Sequence, residues 1–318
     1  MKRHLMTLAI LFTSACASVP HDAGRSDVRQ AVSERTGQTV EWAAGPSAAD
    51  DPRVRALLQD ELTADNAVAV AMANNPRLQA TLAELGIARA DLVAASLVRN
   101  PLFEAEIRFR ADSVRPFELR LAQTLVDLIQ LPRRRALGRA AFDAATLRVT
   151  SEVVRFAADV RARHAELLAA SQRVAQSRTN LEAAKTSAEI AQRQHDAQNI
   201  TDLDLEIQQE QYEEAKLEVA RQEQRLLLAR EALIRAMGLR DASIEWRLPP
   251  AFPPLPSSEP DQQQLEQLAA ARRLDIEMAR RNVDMARQQV PLARLAALGD
   301  ITADAHYQRD AEGAKTFG

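Results

Sequence analysis

The side chains that most often carry out chemistry are few in this chain and stand far apart. Its histidines are spread from end to end: His4, His21, His164, His195 and His306. None has a second ligand at a spacing that would hold a metal ion, and no phosphate-binding glycine loop or nucleophile turn occurs. We expect His164 and His195 to lie on solvated helix faces. The residues predict no catalytic site, no metal site and no cofactor, and therefore no enzyme.

The one cysteine in the chain, Cys16, suggests a modification instead. A basic start precedes an apolar run from Leu5 to Phe12, which is the layout of a secretory signal over residues 1–16. The small residues just before Cys16 resemble a bacterial lipobox, in which the signal is cleaved at the cysteine and its thiol carries diacylglycerol. We predict that Cys16 is lipidated, and Ala17 after it implies sorting to the outer membrane. The alternative is an ordinary signal-peptide cysteine.

The composition predicts a helical protein with coiled-coil segments. Hydrophobic residues make up 46% of the chain but aromatic residues only 4%, while Ala, Leu, Glu, Arg and Gln crowd its middle. A net charge of −3 with interleaved signs argues against a nucleic-acid surface. After the signal, no segment reaches the roughly eighteen uninterrupted apolar residues of a spanning helix. Any membrane crossing would therefore use β-strands.

The helices that must position any site can be placed from periodicity and caps. Residues 17–60 lack sustained periodicity, so we predict an N-terminal tether there. A helix over 62–98 should begin at the N-cap Thr63 and break at Pro76. A long helix is predicted over 133–196, with Pro132 at its start, and would extend roughly 95 Å. Thr201 and Asp204 resemble a capping box that begins a return helix over 202–237, with Gly238 as its C-cap.

The return helix carries a heptad seam. Its two positions are occupied by Leu205, Tyr212, Val219, Leu226 and Leu233, and by Gln208, Ala215, Gln222, Ala229 and Ala236. Because small residues allow close approach and the connection is short, the seam predicts an antiparallel coiled-coil hairpin with the long helix. A proline-rich linker over 244–260 follows.

Between the first two helices the apolar period changes from 3.6 to 2. Two alternating segments around a turn at Asp112 and Ser113 predict a β-hairpin over 101–126. One face would be apolar, and we expect it to face lipid: Phe103, Ala105, Ile107, Phe109, Phe117, Leu119 and Leu121. The charged opposite face is typical of strands in a transmembrane barrel. The alternative is an amphipathic hairpin packed on a soluble core.

The chain also matches itself at an offset of 198 residues, across both a helix and a strand. Phe103, Ala105 and Phe109 fall on Ile301, Ala303 and Tyr307. We therefore predict a first repeat over 61–243 and the start of a second over 261–318, with a helix over 261–298 and a strand over 300–310. We expect the chain to end inside this strand or the turn after it, leaving the second repeat incomplete, as in a C-terminally truncated protein.

The motifs at the helix and strand boundaries resemble one family. They are Asn75-Pro76-Arg77-Leu78, Arg99-Asn100-Pro101, Gln123-Thr124-Leu125 leading to Pro132-Arg133 and Arg135, the run from Asn199 to Leu205, and Arg230-Glu231-Ala232-Leu233 leading to Gly238-Leu239. In order and spacing they resemble the TolC-like outer-membrane efflux family, and within it the factors paired with cation or drug pumps of the resistance-nodulation-division class.

The resemblance implies a fold and an assembly. The fold would be mainly α with short β-hairpins, built from the long helical hairpin and from strands of a trimeric, twelve-stranded transmembrane barrel. The homotrimer would be an outer-membrane channel with a periplasmic helical extension. It would pass metal cations or small toxic compounds, together with a periplasmic adaptor and an inner-membrane pump. Its contacts would be with outer-membrane lipid and these proteins, not with nucleic acid.

The resemblance also places a docking site for the adaptor at the tip between the two long helices. Carried over position by position, the tip is Ala197, Gln198, Asn199, Ile200, Thr201 and Asp202, and the family usually has Gly where Gln198 stands. The alternative for these residues is simple turn and cap chemistry. A rival for the whole chain is a periplasmic lipoprotein adaptor or scaffold, which also combines a lipid anchor with a coiled-coil hairpin.

Overall fold

The structure of the chain is a computed structural model that describes residues 22, 24–37, 52–108, 117–239, 246–255, 257–258, 261–297, 299, 301–310 and 314–318. The described part contains eight helices and four strands. In chain order they are α1 (Arg25–Thr36), α2 (Pro52–Gln59), α3 (Ala64–Asn74), α4 (Pro76–Ala95), β1 (Leu102–Ile107), β2 (Phe117–Thr124), α5 (Leu125–Asp196), α6 (Asp202–Met237), α7 (Gln262–Arg272), α8 (Leu274–Ala296), β3 (Thr302–Arg309) and β4 (Lys315–Phe317). The prediction of a mainly helical fold with short antiparallel strands is confirmed.

The chain divides into two compact units. The sheet unit consists of the described residues within Met1–Val28, Leu82–Val149 and Glu266–Gly318. The hairpin unit consists of those within Arg29–Thr81 and Thr150–Leu265. The sheet unit contains all four strands, and the hairpin unit contains α6 and the part of α5 from Thr150 to Asp196.

The prediction of a tether over 17–60 is wrong where α1 and α2 form. Val28 and Val32 are fully buried in α1, and Val54 and Leu58 are buried in α2. Each pair is one helical turn apart, so each short helix has a single apolar contact stripe of two residues. Two residues are too few to produce sustained periodicity in the sequence. The predicted lipidation site Cys16 and the predicted signal peptide lie outside the described residues.

The predicted break near Pro76 is confirmed, and side chains hold it in place. Thr63 caps α3 by accepting a hydrogen bond from the Asn66 N–H at 3.1 Å. Asn75 separates α3 from α4 and accepts the Arg77 N–H at 2.9 Å. Its amide also donates to the carbonyl of Ala236 at 2.8 Å. The side chain of Asn74 donates to the carbonyl of Gly238, also at 2.8 Å, so the break is tied to the end of α6.

The long helix begins earlier than predicted. α5 starts at Leu125, immediately after β2, and Pro132 lies inside it instead of at its start. A proline within a helix removes one backbone hydrogen bond. Val126 and Asp127 are nevertheless buried before it, and the Leu125 N–H donates to the carbonyl of Ile301 at 2.8 Å. These tertiary contacts fix where the helix begins, whereas proline position alone suggested a start eight residues later.

The hairpin of α5 and α6 is the predicted coiled coil. α5 ends at Asp196 and α6 spans Asp202–Met237, as expected from the caps. Arg178 on α5 forms an ion pair with Glu223 on α6 at 2.6 Å, and nearer the turn Gln209 donates to Gln192 at 3.4 Å. Partners thus approach each other along the chain, so the helices are antiparallel. Every residue of the predicted seam is buried or half-buried, whereas Leu227 between seam positions is 64% exposed.

The offset of 198 also relates the bounds of the helices. α7 begins at 262 and ends at 272, and α8 begins at 274. Each of these positions lies 198 residues after its counterpart in the first helix pair, where α3 begins at 64 and ends at 74 and α4 begins at 76. The helix predicted over 261–298 is therefore broken at Arg273, the counterpart of Asn75. β3 falls within the strand predicted over 300–310.

The prediction that the chain ends inside that strand or the turn after it is wrong. The short strand β4 pairs back on β3 and places Phe317 opposite Tyr307, with the two ring centroids 4.7 Å apart. A strand of three residues, Lys-Thr-Phe, is too short to show alternation in the sequence. Within the predicted proline-rich linker, residues 246–255 contain no helix, and Trp246 is buried under the guanidinium of Arg230.

We predict that Gly238→Ala lowers the free energy of unfolding by about 2 kcal/mol or more. Gly238 has a φ of 71°, and a Cβ there would lie 2.8 Å from the backbone oxygen of Asn74. Gly86→Ala is the matched control, since Gly86 lies in α4 with nothing within 4 Å of an added Cβ. It should raise stability by about 1 kcal/mol. Urea unfolding followed by helical circular dichroism measures both, and an equal effect of the two changes would contradict the prediction.

Candidate functional site

The helical tip joins α5 to α6 through five residues with a defined geometry. The N–H of Asn199 donates to the carbonyl of Gln194 at 2.9 Å, and that of Gln198 to the carbonyl of His195 at 2.7 Å. These two bonds are the Schellman pattern that closes a helix. The pattern requires a left-handed residue, and Gln198 occupies it with a φ of 59°. Gln198 therefore adopts a left-handed conformation. Glycine, which the family resemblance gives as the usual residue at this position, would adopt it most easily.

The same tip begins α6 with the predicted capping box. The hydroxyl of Thr201 accepts the N–H of Asp204 at 3.2 Å, and the Asp204 carboxylate accepts the N–H of Thr201 at 3.1 Å. The hydroxyl and N–H of Thr201 together hold the pKa of Asp204 below its usual value. Across the turn, Nε2 of His195 donates to the carboxylate of Asp202 at 2.6 Å. The turn is thus closed from both helices.

A groove of about 370 Å³ lies beside the tip, between the last turns of α5 and the first turns of α6. Its lining residues are Ser187, Ile190, Ala191, Gln194, Ile200, Asp204, Ile207 and Gln208. Ile190 and Ile207 are exposed, so the groove offers apolar surface with a polar rim. Ile200 is one of the predicted tip residues, whereas Ile190 and Ile207 are not. Their position one and two turns from the tip on the outer side of the heptad seam was the available signal.

Apolar and charged side chains occupy opposite faces of the sheet, as the alternation in the sequence predicts. The four strands are antiparallel in the order β1-β2-β3-β4. In β1 and β2 the residues of the predicted apolar face pair with one another: Phe103 with Leu121, Ala105 with Leu119, and Ile107 with Phe117. Ala305 and Tyr307 continue this face in β3. The face is exposed or half-buried along its length, with Phe103 at 65% and Phe317 at 76%. Phe109 and the turn at Asp112 and Ser113 lie outside the described residues.

The other face of the sheet is charged and internally paired. Arg120 in β2 lies beside two acids, with Nε 2.7 Å from Asp304 in β3 and Nη1 3.7 Å from Glu104 in β1. Arg108, directly after β1, pairs with Glu106 at 2.7 Å. The alternation of period two therefore places apolar side chains on one surface and ion pairs on the other.

The three histidines within the described residues, His164, His195 and His306, form no common site. His195 is half-exposed at the tip, but the expectation of a solvated face is wrong for His164, which is 5% exposed. Its Nε2 donates to the carbonyl of Leu62 at 2.6 Å, satisfying a backbone group next to α3. One polar residue in an apolar stripe looks like a surface position in sequence unless its partner is known. Among the described residues, no three metal-binding side chains come together.

The similarity of this chain to known proteins lies in its fold. No protein-family model matches the sequence, and no curated protein matches it either. Among solved structures, the outer membrane protein VceC of Vibrio cholerae superposes with a TM-score of 0.64 at 17% identity, covering 86% of this chain and 70% of VceC. CusC, described as forming a transmembrane channel, gives 0.63 at 18% identity, covering 81% of this chain and 64% of CusC.

The Campylobacter jejuni outer membrane channel CmeC matches as well, with a TM-score of 0.57 at 15% identity over 88% of this chain and 63% of its own. The chain has the TolC-like fold. This fold accounts for the order of helices, strands and long helical hairpin described above, and the chain spans just under two thirds of CusC and of CmeC. Over the described residues, every helix is too short or too polar to cross a membrane.

We predict that Gln198→Gly raises the free energy of unfolding by about 1 kcal/mol, because glycine adopts the left-handed conformation without a steric cost. Gly238 already ends α6 with the same bond pattern. The control is Gln172→Gly in the interior of α5, which should lower stability by about 1 kcal/mol. Both are measured by urea unfolding of the whole chain. A loss of stability at position 198 would refute the assigned tip geometry.

Proposed function

We propose that this chain is a subunit of an outer-membrane export duct. The observation that carries the proposal is the sheet, whose one face is apolar and exposed and whose other face is charged and ion-paired. This is how strands divide between lipid and a water-filled lumen in a transmembrane barrel. Phe103, Ala105, Ile107, Phe109, Phe117, Leu119 and Leu121 would face lipid. Glu104, Arg120 and Asp304 would face the lumen.

The likeness to VceC, CusC and CmeC supports the assembly. Three subunits would each contribute two hairpins, closing a twelve-stranded barrel, because an open sheet edge leaves backbone groups unpaired in lipid. The helices of α5 and α6 would continue the duct into the periplasm. Lipidation at Cys16 would add an anchor, and one acylated residue needs a second membrane element such as the barrel for stable attachment.

The proposed mechanism is passive. The duct supplies a water-filled exit, while an inner-membrane pump supplies energy and selects the cargo, metal cations or small toxic compounds. The tip from Ala197 to Asp202 would bind a periplasmic adaptor, and the groove beside it would accept apolar side chains of that adaptor. Support for this comes from Ile190 and Ile207, whose apolar side chains are exposed beside the tip. The turn geometry presents them at a rigid end, since both helix termini there are capped.

The duct proposal predicts trimers in the outer membrane. The protein should fractionate with outer membranes and run as a trimer that resists mild heating in detergent, as expected when strands of neighbouring subunits pair. Density-gradient fractionation followed by electrophoresis with and without boiling measures both properties. A monomer confined to the soluble periplasm would overturn the proposal.

The tip assignment predicts that the pair Ile190→Asn and Ile207→Asn abolishes export while trimers still form. The pair Thr179→Asn and Thr186→Asn introduces the same residues at exposed positions of α5 and is the control. Export is measured as resistance of cells that carry both repeats of the protein with its adaptor and pump. Undiminished resistance in the isoleucine pair would contradict the tip assignment. Loss of trimers would show that these residues are needed for assembly instead.

A further inference from the structure

We propose that the first four turns of α5 form an interface for the anionic headgroups of phospholipids. This inference rests on the proposed function, since it assumes that the sheet lies in a bilayer. The interface, called here the arginine face, consists of Arg133, Arg135 and Arg139. Its ligand is the phosphate of a lipid in the leaflet next to the helices.

The exposed side of α5 changes from apolar to basic within a few residues. Leu125, Leu128 and Ile129 are exposed at its start, with Ile129 at 62%. The arginine face follows, and all three of its members are exposed as well. The intervening residues Val126 and Asp127 are buried, so the exposed positions lie on one broad side of the helix, with Arg133 and Arg135 near its two edges.

The apolar half of this side of α5 belongs to a larger exposed apolar zone. Leu97, Val98, Leu102 and Ile301 are also exposed. They lie beside the start of α5, because Leu125 bonds to the carbonyl of Ile301 and the Arg134 side chain donates to the carbonyl of Leu97 at 3.4 Å. Apolar side chains thus surround the junction of strands and helices from three chain segments. At a bilayer boundary they would occupy the hydrocarbon edge.

Two acids flank the arginine face along α5, and neither forms an ion pair with it. Asp143, four residues after Arg139, is half-buried. Asp127 is 5% exposed and faces inward, with Oδ2 3.4 Å from Nε of Arg99 and Oδ1 3.8 Å from Nη1 of Arg134. Among the described residues, Arg133 donates to the carbonyl of Pro291, at 3.5 Å, and to no carboxylate. Arg135 and Arg139 form no ion pair with any residue that the structure describes. Within the described part of the chain, no ion pair therefore neutralises the arginine face.

The spacing suits headgroups. Arg133 and Arg139 are separated by roughly 9 Å along the helix axis, so the face can contact neighbouring phosphates. Arginine binds phosphate through two parallel N–H donors, and its long stem can lie on apolar surface while its head reaches the interface. A soluble acidic peptide would account for the arginines but not for the adjoining apolar half. A lipid headgroup with its acyl chains accounts for both.

The test compares the binding of the purified full chain to two kinds of vesicle by flotation. One kind contains phosphatidylglycerol in phosphatidylcholine, and the other contains phosphatidylcholine alone. We expect wild-type protein to bind the anionic vesicles on the order of tenfold or more tightly at low salt. The triple variant Arg133→Gln, Arg135→Gln, Arg139→Gln should lose this preference but retain binding to neutral vesicles. Inorganic phosphate should compete only weakly, since it lacks acyl chains.

The control is Arg155→Gln, Arg173→Gln, Arg193→Gln, which removes the same charge from exposed positions farther along α5. It should keep the preference. The arginine face is refuted if the first triple keeps the preference, if both triples lose it equally, or if inorganic phosphate abolishes binding to both kinds of vesicle. In each of these cases the outer-membrane trimer would be unaffected. A chain that binds neither vesicle and forms no outer-membrane trimer would overturn the duct as well.

Discussion

The packing of α5 against α6 through a heptad seam is the interaction on which the hairpin unit depends. Its second position is occupied by alanine and glutamine, so the helices approach closely without bulky side chains. A narrow seam leaves most of each helix surface outside the contact, and exposed leucines such as Leu217 and Leu227 occupy that surface. The seam fixes register, and register in turn decides which residues reach the tip. The capped turn and the groove beside it follow from that alignment.

Local chemistry made much of this predictable. The bounds of α6, its capping box and the C-cap at Gly238 depend on short-range hydrogen bonds, and the residue types at these positions indicate those bonds in the sequence. The cross-strand pairs of β1 and β2 follow from alternation, because a shift of one residue would exchange the two faces. The break at Arg273, which the helix predicted over 261–298 did not include, lies 198 positions after the one at Asn75 although the position lacks an asparagine.

What escaped prediction depends on contacts between distant segments. α1 and α2 are fixed by two buried residues each, and the start of α5 is set by its bond to Ile301 rather than by Pro132. His164 was misplaced because its partner, the carbonyl of Leu62, lies 102 positions away. The groove beside the tip required the relative orientation of two helices. In each case the deciding group is a backbone atom or a side chain that the local pattern does not reveal.

The tie between the Asn74–Asn75 break and the end of α6 has a consequence for the order of folding. Its hydrogen bonds join residues 161 to 164 positions apart. A chain that folds as it emerges must therefore hold α3 and α4 with their junction unsatisfied until the whole of α5 and α6 has been released. Such delayed, nonlocal closure is slow and leaves apolar surface open to wrong partners. The interval between the two halves of this contact is when a chaperone would be needed most.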